Sequence, residues 1–242
     1  MNNPRSILAP ALARLPAGIQ FELRRIKFSR QIRAGHFLPD EPEVAEVANH
    51  LRSGDWVIDV GANVGHYTCL MSKRVGDLGR VLAFEPVPMS FALLAANVRA
   101  SGARNVTLFN VALSSTASTA SMTVPGYEHS RLSNYYQARI CPEGEYPVLC
   151  LPLDSIPLTR PVRLVKIDAE GHDLQVLMGM ELLLRKDRPL LIVEGSLSGS
   201  LASWLTERGY LLRKRPGSPN IVGEPVEGAN APVRENYASA TC

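Results

Sequence analysis

Strand-like segments alternate with helix-like segments between residues 56 and 208, and this alternation constrains the fold more than any other feature. Short runs rich in β-branched residues fit strands, predicted as WVIDV (56–60), RVLAFE (80–85), VTLFNVAL (106–113), LVKID (164–168) and LLIVE (190–194). Runs with helical spacing of apolar residues predict helices near 64–75, 88–101, 171–185 and 199–208. This order is typical of a mostly parallel sheet with helices on both faces.

Both ends of the chain add to this unit. Apolar and basic positions interleave over residues 19–50 and predict two helices, the first with a basic face. After Gly209, the segments YLLRKR and IVGEPV flank the turn-forming GSPN and predict an antiparallel hairpin, which brings the sheet to seven strands. The predicted organisation is an N-terminal helical extension (1–52), a main domain (53–226) and a tail (227–242).

Residues 114–150 do not fit the alternation. The segment is too long for an ordinary connection in a compact domain, and such insertions are commonly functional or mobile. It contains several side chains suited to hydrogen bonding and stacking on a polar acceptor, among them His129, Arg131 and Tyr135. We predict a β/loop insertion that covers the site as a lid, with padding of the sheet edge as the alternative.

The composition excludes some classes of protein. The chain has 242 residues, 45% of them hydrophobic, and a net charge of +3, which falls short of the concentrated positive charge of nucleic-acid-binding proteins. The four cysteines lack C-x-x-C spacing, so neither a zinc site nor a redox motif is indicated, and a reducing cytoplasm is the expected setting. Prolines and Arg14 interrupt the apolar N-terminal stretch, so no transmembrane segment is predicted.

The stretch VIDVGANVGHYT, residues 57–68, runs from a strand into a glycine loop and a helix. The pyrophosphate fingerprint G-x-G-x-x-G of dinucleotide-binding folds is absent, which disfavours a nicotinamide-dependent oxidoreductase. The pattern D-x-G-x-x-x-G suits a ligand with a sulfonium cation and an amino-acid group, because glycines admit the ligand and a carboxylate faces its charge. S-adenosylmethionine is such a ligand, and Glu85 at the next strand end is placed to accept hydrogen bonds from its ribose.

These motifs resemble those of the FkbM family of S-adenosylmethionine-dependent methyltransferases. The resemblance covers roughly residues 55–195 and rests on VIDVGANVGHYT, VLAFEPVP, LLAANV, NVALS, PLDSI, LVKIDAEGHDLQVLMG and RPLLIVE in that order. It implies a Rossmann-like class I methyltransferase fold and methylation of a hydroxyl on a natural product, sugar or glycolipid.

Candidate site residues follow from the strand ends. The predicted cofactor-binding residues are Asp59, Gly61, Asn63, Gly65, Tyr67, Glu85, Pro86, Ala112 and Asp168. The predicted catalytic residues are Asp168, His172, Glu194 and Lys166, with His172 as a proton acceptor that titrates near neutral pH. Glu170 joins the three insertion residues as a substrate-binding candidate, although it and Asp173 are also typical of a helix N-terminus.

Several alternatives stay open at this level. Magnesium held by Asp168, Glu194 and Glu170 is an option that no ligand spacing favours, so no metal ligand is assigned. The expected partner is a small-molecule or carbohydrate acceptor, with no nucleic acid; a homodimer is compatible with the sequence. The basic N-terminal helix leaves a weak peripheral contact with membrane lipid open. The alternative functions are a non-catalytic cofactor-binding scaffold and a nucleic-acid methyltransferase.

Overall fold

The computed structural model describes residues 15–126 and 137–226, and its strands form two sheets. The strands are β1 (Trp56–Val60), β2 (Arg80–Phe84), β3 (Val106–Phe109), β4 (Ala112–Leu113), β5 (Ser118–Thr123), β6 (Arg139–Ile140), β7 (Tyr146–Leu151), β8 (Val162–Ile167), β9 (Leu190–Glu194), β10 (Tyr210–Lys214) and β11 (Asn220–Pro225). The helices are α1 (Ala17–Arg33), α2 (Val44–His50), α3 (His66–Val75), α4 (Pro88–Ser101), α5 (Asp173–Met178), α6 (Glu181–Asp187) and α7 (Ser200–Glu207).

The larger sheet has seven strands in the order β10-β11-β9-β8-β1-β2-β3. Strand β11 runs antiparallel to both of its neighbours, and the other pairings are parallel. The predicted seven-stranded, mostly parallel sheet with a terminal hairpin is therefore confirmed. Because β1, β2, β8 and β9 are parallel, their carboxyl ends lie along one edge, and this edge carries the candidate site.

Alternate side chains of the central strands pack on opposite faces of the sheet. Val57 and the side chains of neighbouring strands that point to the same face pack in a core with α2 and α3, where Met71 is buried. Ile58 and the side chains of neighbouring strands that point to the other face pack in a core with α5, α6 and α7, where Leu177 is buried. Both faces are thus covered, which explains why these strands are apolar without interruption.

The predicted strand 106–113 is wrong as a single element. The chain turns after Phe109, where the side-chain amide of Asn110 donates to the carbonyl oxygens of Glu85 (2.8 Å) and Pro86 (3.0 Å). The continuation pairs with β7 and belongs to the other sheet. The run 106–113 favours strand by propensity. The hydrogen bonds of Asn110 to the backbone after β2 nevertheless divide it into two strands.

The predicted helix 171–185 is also wrong as a single element, since it consists of α5 and α6. A Cβ on Gly179 would lie 2.0 Å from the carbonyl oxygen of Ser114, so the chain needs glycine where it passes the insertion. The carboxylate of Asp154 accepts hydrogen bonds from the backbone N–H groups of Leu182 (2.8 Å) and Leu183 (3.0 Å). This distant aspartate caps the start of α6, which local spacing does not reveal.

The insertion and the N-terminal extension both pack onto the main sheet unit. The described part of the insertion forms a four-stranded sheet in the order β4-β7-β5-β6, with Met122, Val148 and Cys150 in its core. Helix α1 lies along α4, and Phe28 is buried between them. Among the described residues, no helix combines the length and apolar character needed to cross a bilayer. The predicted C-terminal tail, 227–242, lies outside the described residues.

An ion-pair network connects α2 to β10. Glu46 is 3% exposed, and its oxygens accept hydrogen bonds from Arg213 (2.8 and 2.6 Å) and Arg215 (2.9 Å). The hydrogen bonds from Arg213, helped by Arg215 and opposed by burial, lower the pKa of Glu46 to about 2. A depressed carboxyl pKa stabilises the fold above the pKa of the unfolded chain, and this contribution is lost as pH falls towards 2.

We expect Glu46→Gln to lower the free energy of unfolding by about 2 kcal/mol at neutral pH, because Arg215 and Arg213 each lose an ion pair with a buried carboxylate, although Arg213 keeps Glu224. The difference from wild type should shrink as pH falls from about 4.5 towards about 2. Urea unfolding over this pH range measures both effects. Glu207→Gln, at an exposed position, is the control and should change little. If Glu46→Gln lowered the free energy of unfolding equally at all pH values, the stabilising role of the ionised Glu46 carboxylate would be contradicted.

Candidate active site

The loop after β1 lies against the end of β8. Gly61 has a φ of +71°, and a Cβ at this position would lie 1.9 Å from the carbonyl oxygen of Asp168. The backbone N–H groups of Gly61 and Ala62 donate to the carbonyl oxygen of Phe84 at 3.0 and 2.9 Å. The loop therefore joins the ends of three strands, and only glycine satisfies both the backbone conformation and the close contact.

The loop ends in a second tight turn before α3. Asn63 has a φ of +49°, and Gly65 has a φ of +95°. A Cβ on Gly65 would lie 2.6 Å from the Leu94 side chain. The side-chain amide of Asn97 donates to the carbonyl oxygen of Val64 at 2.9 Å. Helix α4 thus supports the loop from behind, and the exposed backbone of the loop faces the cavity.

Glu85 organises the backbone around it as well as facing the cavity. Its two oxygens accept hydrogen bonds from the N–H groups of Asn63 and Val87, each at 2.8 Å. Burial raises the pKa of Glu85 to about 7, although the two N–H donors act in the opposite direction. The carboxylate predicted to contact a ribose therefore also fixes the loop that would hold the rest of the nucleoside, a role that the sequence did not reveal.

A buried lysine lies beneath the loop. Lys166 is 3% exposed, its Nζ donates to Oδ2 of Asp168 at 2.9 Å, and it lies 4.9 Å from the ring centroid of Tyr67. Asp59 is also buried and accepts a hydrogen bond from the Thr68 hydroxyl at 2.5 Å. Burial lowers the pKa of Lys166, but the carboxylates of Asp168 and Asp59 outweigh it and raise the pKa above its ordinary value. Lys166 consequently stays charged and partly offsets the acidity of the site.

The turn after β8 is held by Asp173. This carboxylate is buried and accepts hydrogen bonds from the backbone N–H groups of Ala169 (3.0 Å) and Gly171 (3.2 Å). Between them, Glu170 has a φ of +49°, a conformation that side-chain-bearing residues seldom adopt. Asp173 thus shapes the turn, and Glu170 faces the cavity from it.

His172 follows the same turn and contacts the insertion. Its Nε2 lies 2.9 Å from the hydroxyl oxygen of Ser114, 58 positions earlier in the chain. Burial lowers the pKa of His172 below its ordinary value of 6.5. The imidazole is therefore neutral at neutral pH, and it connects the turn after β8 to the second sheet. Ser114 ends the motif NVALS, but no local pattern predicted its contact with His172.

Three carboxylates meet beside this turn. One oxygen each of Asp168, Glu170 and Glu194 lies within 4.8 Å of the other two. Burial, followed by repulsion between neighbouring carboxylates, raises the pKa of Glu170 and the pKa of Glu194 to about 7 each. Groups with such values accept a proton more readily at neutral pH than ordinary carboxylates do.

These elements enclose a cavity of about 350 Å³, which is in the range of small-ligand sites. One wall comes from the second sheet, including Ala112, Met122 and Ile140. The segment 38–41 between α1 and α2 also lines the cavity, which the sequence analysis did not predict. Its position is fixed where Phe37 stacks on His66 at 4.1 Å between ring centroids. The acidic, proline-containing run PDEPE (39–43) was the one available signal.

The structure brings most of the predicted residues to this cavity. Those that line it are Asp59, Gly61, Asn63, Tyr67, Glu85, Pro86, Ala112, Lys166, Asp168, Glu170 and His172. Gly65 and Glu194 are not among the described residues that line it. Gly65 supports the loop, and a carboxylate oxygen of Glu194 lies within 4.8 Å of one of Asp168. His129, Arg131 and Tyr135 lie outside the described residues.

The charges of the cavity suit a cationic ligand. Its described lining contains six carboxyl side chains and one lysine: Asp40, Glu41, Asp59, Glu85, Asp168, Glu170 and Lys166. A sulfonium and an ammonium group would both be stabilised there. The apolar wall and the Gly61 loop complete a surface that accommodates a nucleoside. The residues present therefore fit S-adenosylmethionine.

The family model of the methyltransferase FkbM domain matches residues 59–212, well over half of the chain. The chain belongs to the FkbM methyltransferase family. The loop at Gly61 and the turn at Glu170 both lie within the matched region.

Two solved structures and one curated relative are similar to this chain. The crystal structure of methyltransferase FkbM from Methylobacillus flagellatus has a TM-score of 0.52 and 15% identity, over 83% of this chain and 59% of that chain. A methyltransferase from Geobacter sulfurreducens has a TM-score of 0.50 and 12% identity, over 88% of this chain and 92% of that chain. The hexuronic acid methyltransferase AglP from Haloferax volcanii is 32% identical over 130 residues, 52% of this chain and 50% of the relative. The structures confirm the class I fold, whereas the alignment spans only about half the length of the curated relative.

We expect Gly61→Ala to weaken binding of S-adenosylhomocysteine by more than about tenfold and to lower the free energy of unfolding by about 2 kcal/mol or more. The physical reason is the positive φ together with the 1.9 Å approach to the Asp168 carbonyl oxygen. Calorimetric titration and urea unfolding measure the two effects. Gly18→Ala, in α1 with nothing near its Cβ position, is the matched control and should not destabilise the protein. Wild-type binding by Gly61→Ala would contradict the role of the loop.

Proposed function

We propose that this methyltransferase transfers a methyl group to a hydroxyl of a carbohydrate or another small polyhydroxylated acceptor. The observation that carries the proposal is the convergence of Asp168, Glu170 and Glu194 beside the cofactor loop, two of them with a pKa raised to about 7. A hydroxyl must lose its proton during methylation, and such carboxylates are suited to accept it. The named activity of the curated relative, methylation of a hexuronic acid, supports a sugar acceptor.

The cofactor supplies an electrophilic methyl carbon on a sulfonium, and the protein aligns an acceptor oxygen with that carbon. Asp59, Gly61, Asn63 and Glu85 would hold the cofactor, with Tyr67, Pro86 and Ala112 packed around it. Glu170 lines the cavity and would hydrogen-bond to the acceptor hydroxyl. The proton passes to the cluster formed by Asp168, Glu170 and Glu194. Lys166, bonded to Asp168 at 2.9 Å, would hold that carboxylate in its orientation.

Two alternatives concern the proton acceptor. His172 lines the cavity, but its Nε2 contacts Ser114 and burial lowers its pKa, so it would be a weaker base than the cluster. Magnesium is the other alternative, because three carboxylate oxygens within 4.8 Å offer the donor type that this ion prefers. Assays with and without a chelator separate metal assistance from direct proton transfer.

The first test is a screen of acceptors with S-adenosylmethionine, in which release of S-adenosylhomocysteine is measured. The panel should contain neutral hexosides, hexuronic acids, amino sugars and hydroxylated aromatic compounds, with a short RNA as a further member. Methylation of sugar hydroxyls alone supports the proposal. Turnover on RNA alone, or on no hydroxyl compound, would refute it.

We expect Asp168→Asn to lower kcat/KM by about 100-fold or more, because the amide neither accepts a proton nor balances Lys166. Affinity for S-adenosylhomocysteine should change by less than about tenfold, since the loop contact involves the carbonyl of this residue. Steady-state kinetics and calorimetry measure the two quantities. Asp77→Asn, at an exposed position outside the cavity, is the control. Unchanged turnover would contradict catalysis by Asp168 and favour a different proton acceptor.

The pH dependence distinguishes the cluster from His172. If the cluster accepts the proton, kcat/KM should rise with pH through about 7, because Glu170 and Glu194 lose their protons there. Glu194→Gln should shift this limb to lower pH, since one source of repulsion is removed. Proton transfer to His172 instead predicts a limb below 6.5 that His172→Asn abolishes. Profiles of kcat/KM in buffer with a chelator decide between them.

A further inference from the structure

The segment between α1 and α2 supplies a carboxylate that is held in a fixed orientation at the cavity. Glu41 lines the cavity, and its Oε2 accepts hydrogen bonds from the Tyr67 hydroxyl and the Asn220 side-chain amide, both at 2.8 Å. Tyr67 lies in the first turn of α3, and Asn220 begins β11. Donors from two distant elements thus orient Oε2 of Glu41. Its other oxygen, Oε1, accepts no hydrogen bond from the described residues.

This part of the cavity is rich in negative charge that Lys166 balances only in part. Asp40, Glu41 and Asp59 line it, and Glu43 lies fully buried directly behind the segment. Within the described part of the chain, Oδ1 of Asp59 and Oε1 of Glu43 are buried without a hydrogen-bond partner. Among the described residues that line the cavity, Lys166 is the one basic side chain of the lysine or arginine type. Its Nζ donates a hydrogen bond to Asp168. Buried acceptors without donors point to a donor that comes from a ligand.

The order of groups along the cofactor indicates which donor this is. The nucleoside end is expected at Glu85 and Val87, at the end of β2 beside the second sheet. The cofactor continues from its ribose through the sulfur to an amino-acid group. Glu41 bonds to Tyr67, whose ring contacts Lys166 on β8, and Asp59 belongs to β1. Since the nucleoside contacts are expected at the end of β2, Glu41 and Asp59 are the carboxylates left for the amino-acid group. Its ammonium has three N–H donors, which two carboxylates can accept.

We propose that Glu41, together with Oδ1 of Asp59, binds the α-ammonium group of the methionine part of S-adenosylmethionine. The N-terminal segment is then a part of the cofactor site. Tyr67 is a positioning residue, because it orients Glu41 through its hydroxyl and contacts Lys166 through its ring.

The test compares two ligands by calorimetry: S-adenosylhomocysteine and its analogue without the α-amino group. Wild type should bind the first at least about tenfold more tightly, as expected for a charge-assisted hydrogen bond. Glu41→Gln should weaken binding of S-adenosylhomocysteine by about tenfold and leave binding of the analogue within about twofold. Glutamine keeps an acceptor for Tyr67 and Asn220, so the local structure is preserved; thermal unfolding of the variant checks this.

Two matched variants complete the experiment. Glu22→Gln, on the exposed surface of α1, should change neither affinity. Asp40→Asn removes the neighbouring exposed carboxylate and should have a smaller effect than Glu41→Gln. Equal losses for both ligands in Glu41→Gln, a full effect in Asp40→Asn with none in Glu41→Gln, or equal affinity of wild type for both ligands would each overturn the proposal. The wild-type comparison holds even if a variant fails to fold.

Discussion

The contact between Gly61 and the carbonyl of Asp168 is the constraint on which the site depends. With a φ of +71° and only 1.9 Å available for a Cβ, the backbone of the β1 loop lies directly against the end of β8. Because β2 also accepts hydrogen bonds from this loop, three parallel strands end at one place. Side chains of the strand ends consequently project into one cavity, whatever the details of the surrounding loops.

Charge balance in this cavity rests on a buried lysine. Lys166 neutralises part of the charge of Asp59 and Asp168, while burial, followed by repulsion from neighbouring carboxylates, raises the pKa of Glu170 and the pKa of Glu194. A buried ion pair of this kind contributes little net stability, since desolvation offsets the attraction. The ion pair lies beside an acidic cluster and the Gly61 loop, an arrangement that suits the proposed binding of a cationic cofactor and the proposed proton transfer.

Elements outside the parallel sheet close the site. The second sheet contributes Ala112, Met122 and Ile140 to one wall, and the Ser114 hydroxyl contacts His172 across 58 positions of sequence. The segment 38–41 brings Glu41 to Tyr67 and Asn220, residues 26 and 179 positions away. These parts carry little of the family motifs, yet they shape the cavity where ligand contacts are made.

The sequence by itself determined the sheet and the centre of the site. Apolar runs, glycines at 61 and 65, and acidic residues at strand ends specify local conformation and direction, so Asp59, Glu85 and Asp168 could be located from their neighbours alone. Only the tertiary structure decided where Asn110 turns the chain, where Gly179 and Asp154 divide a helix, and that Glu41 faces the cavity. These features depend on hydrogen bonds and close contacts between residues far apart in the chain, which no local pattern encodes.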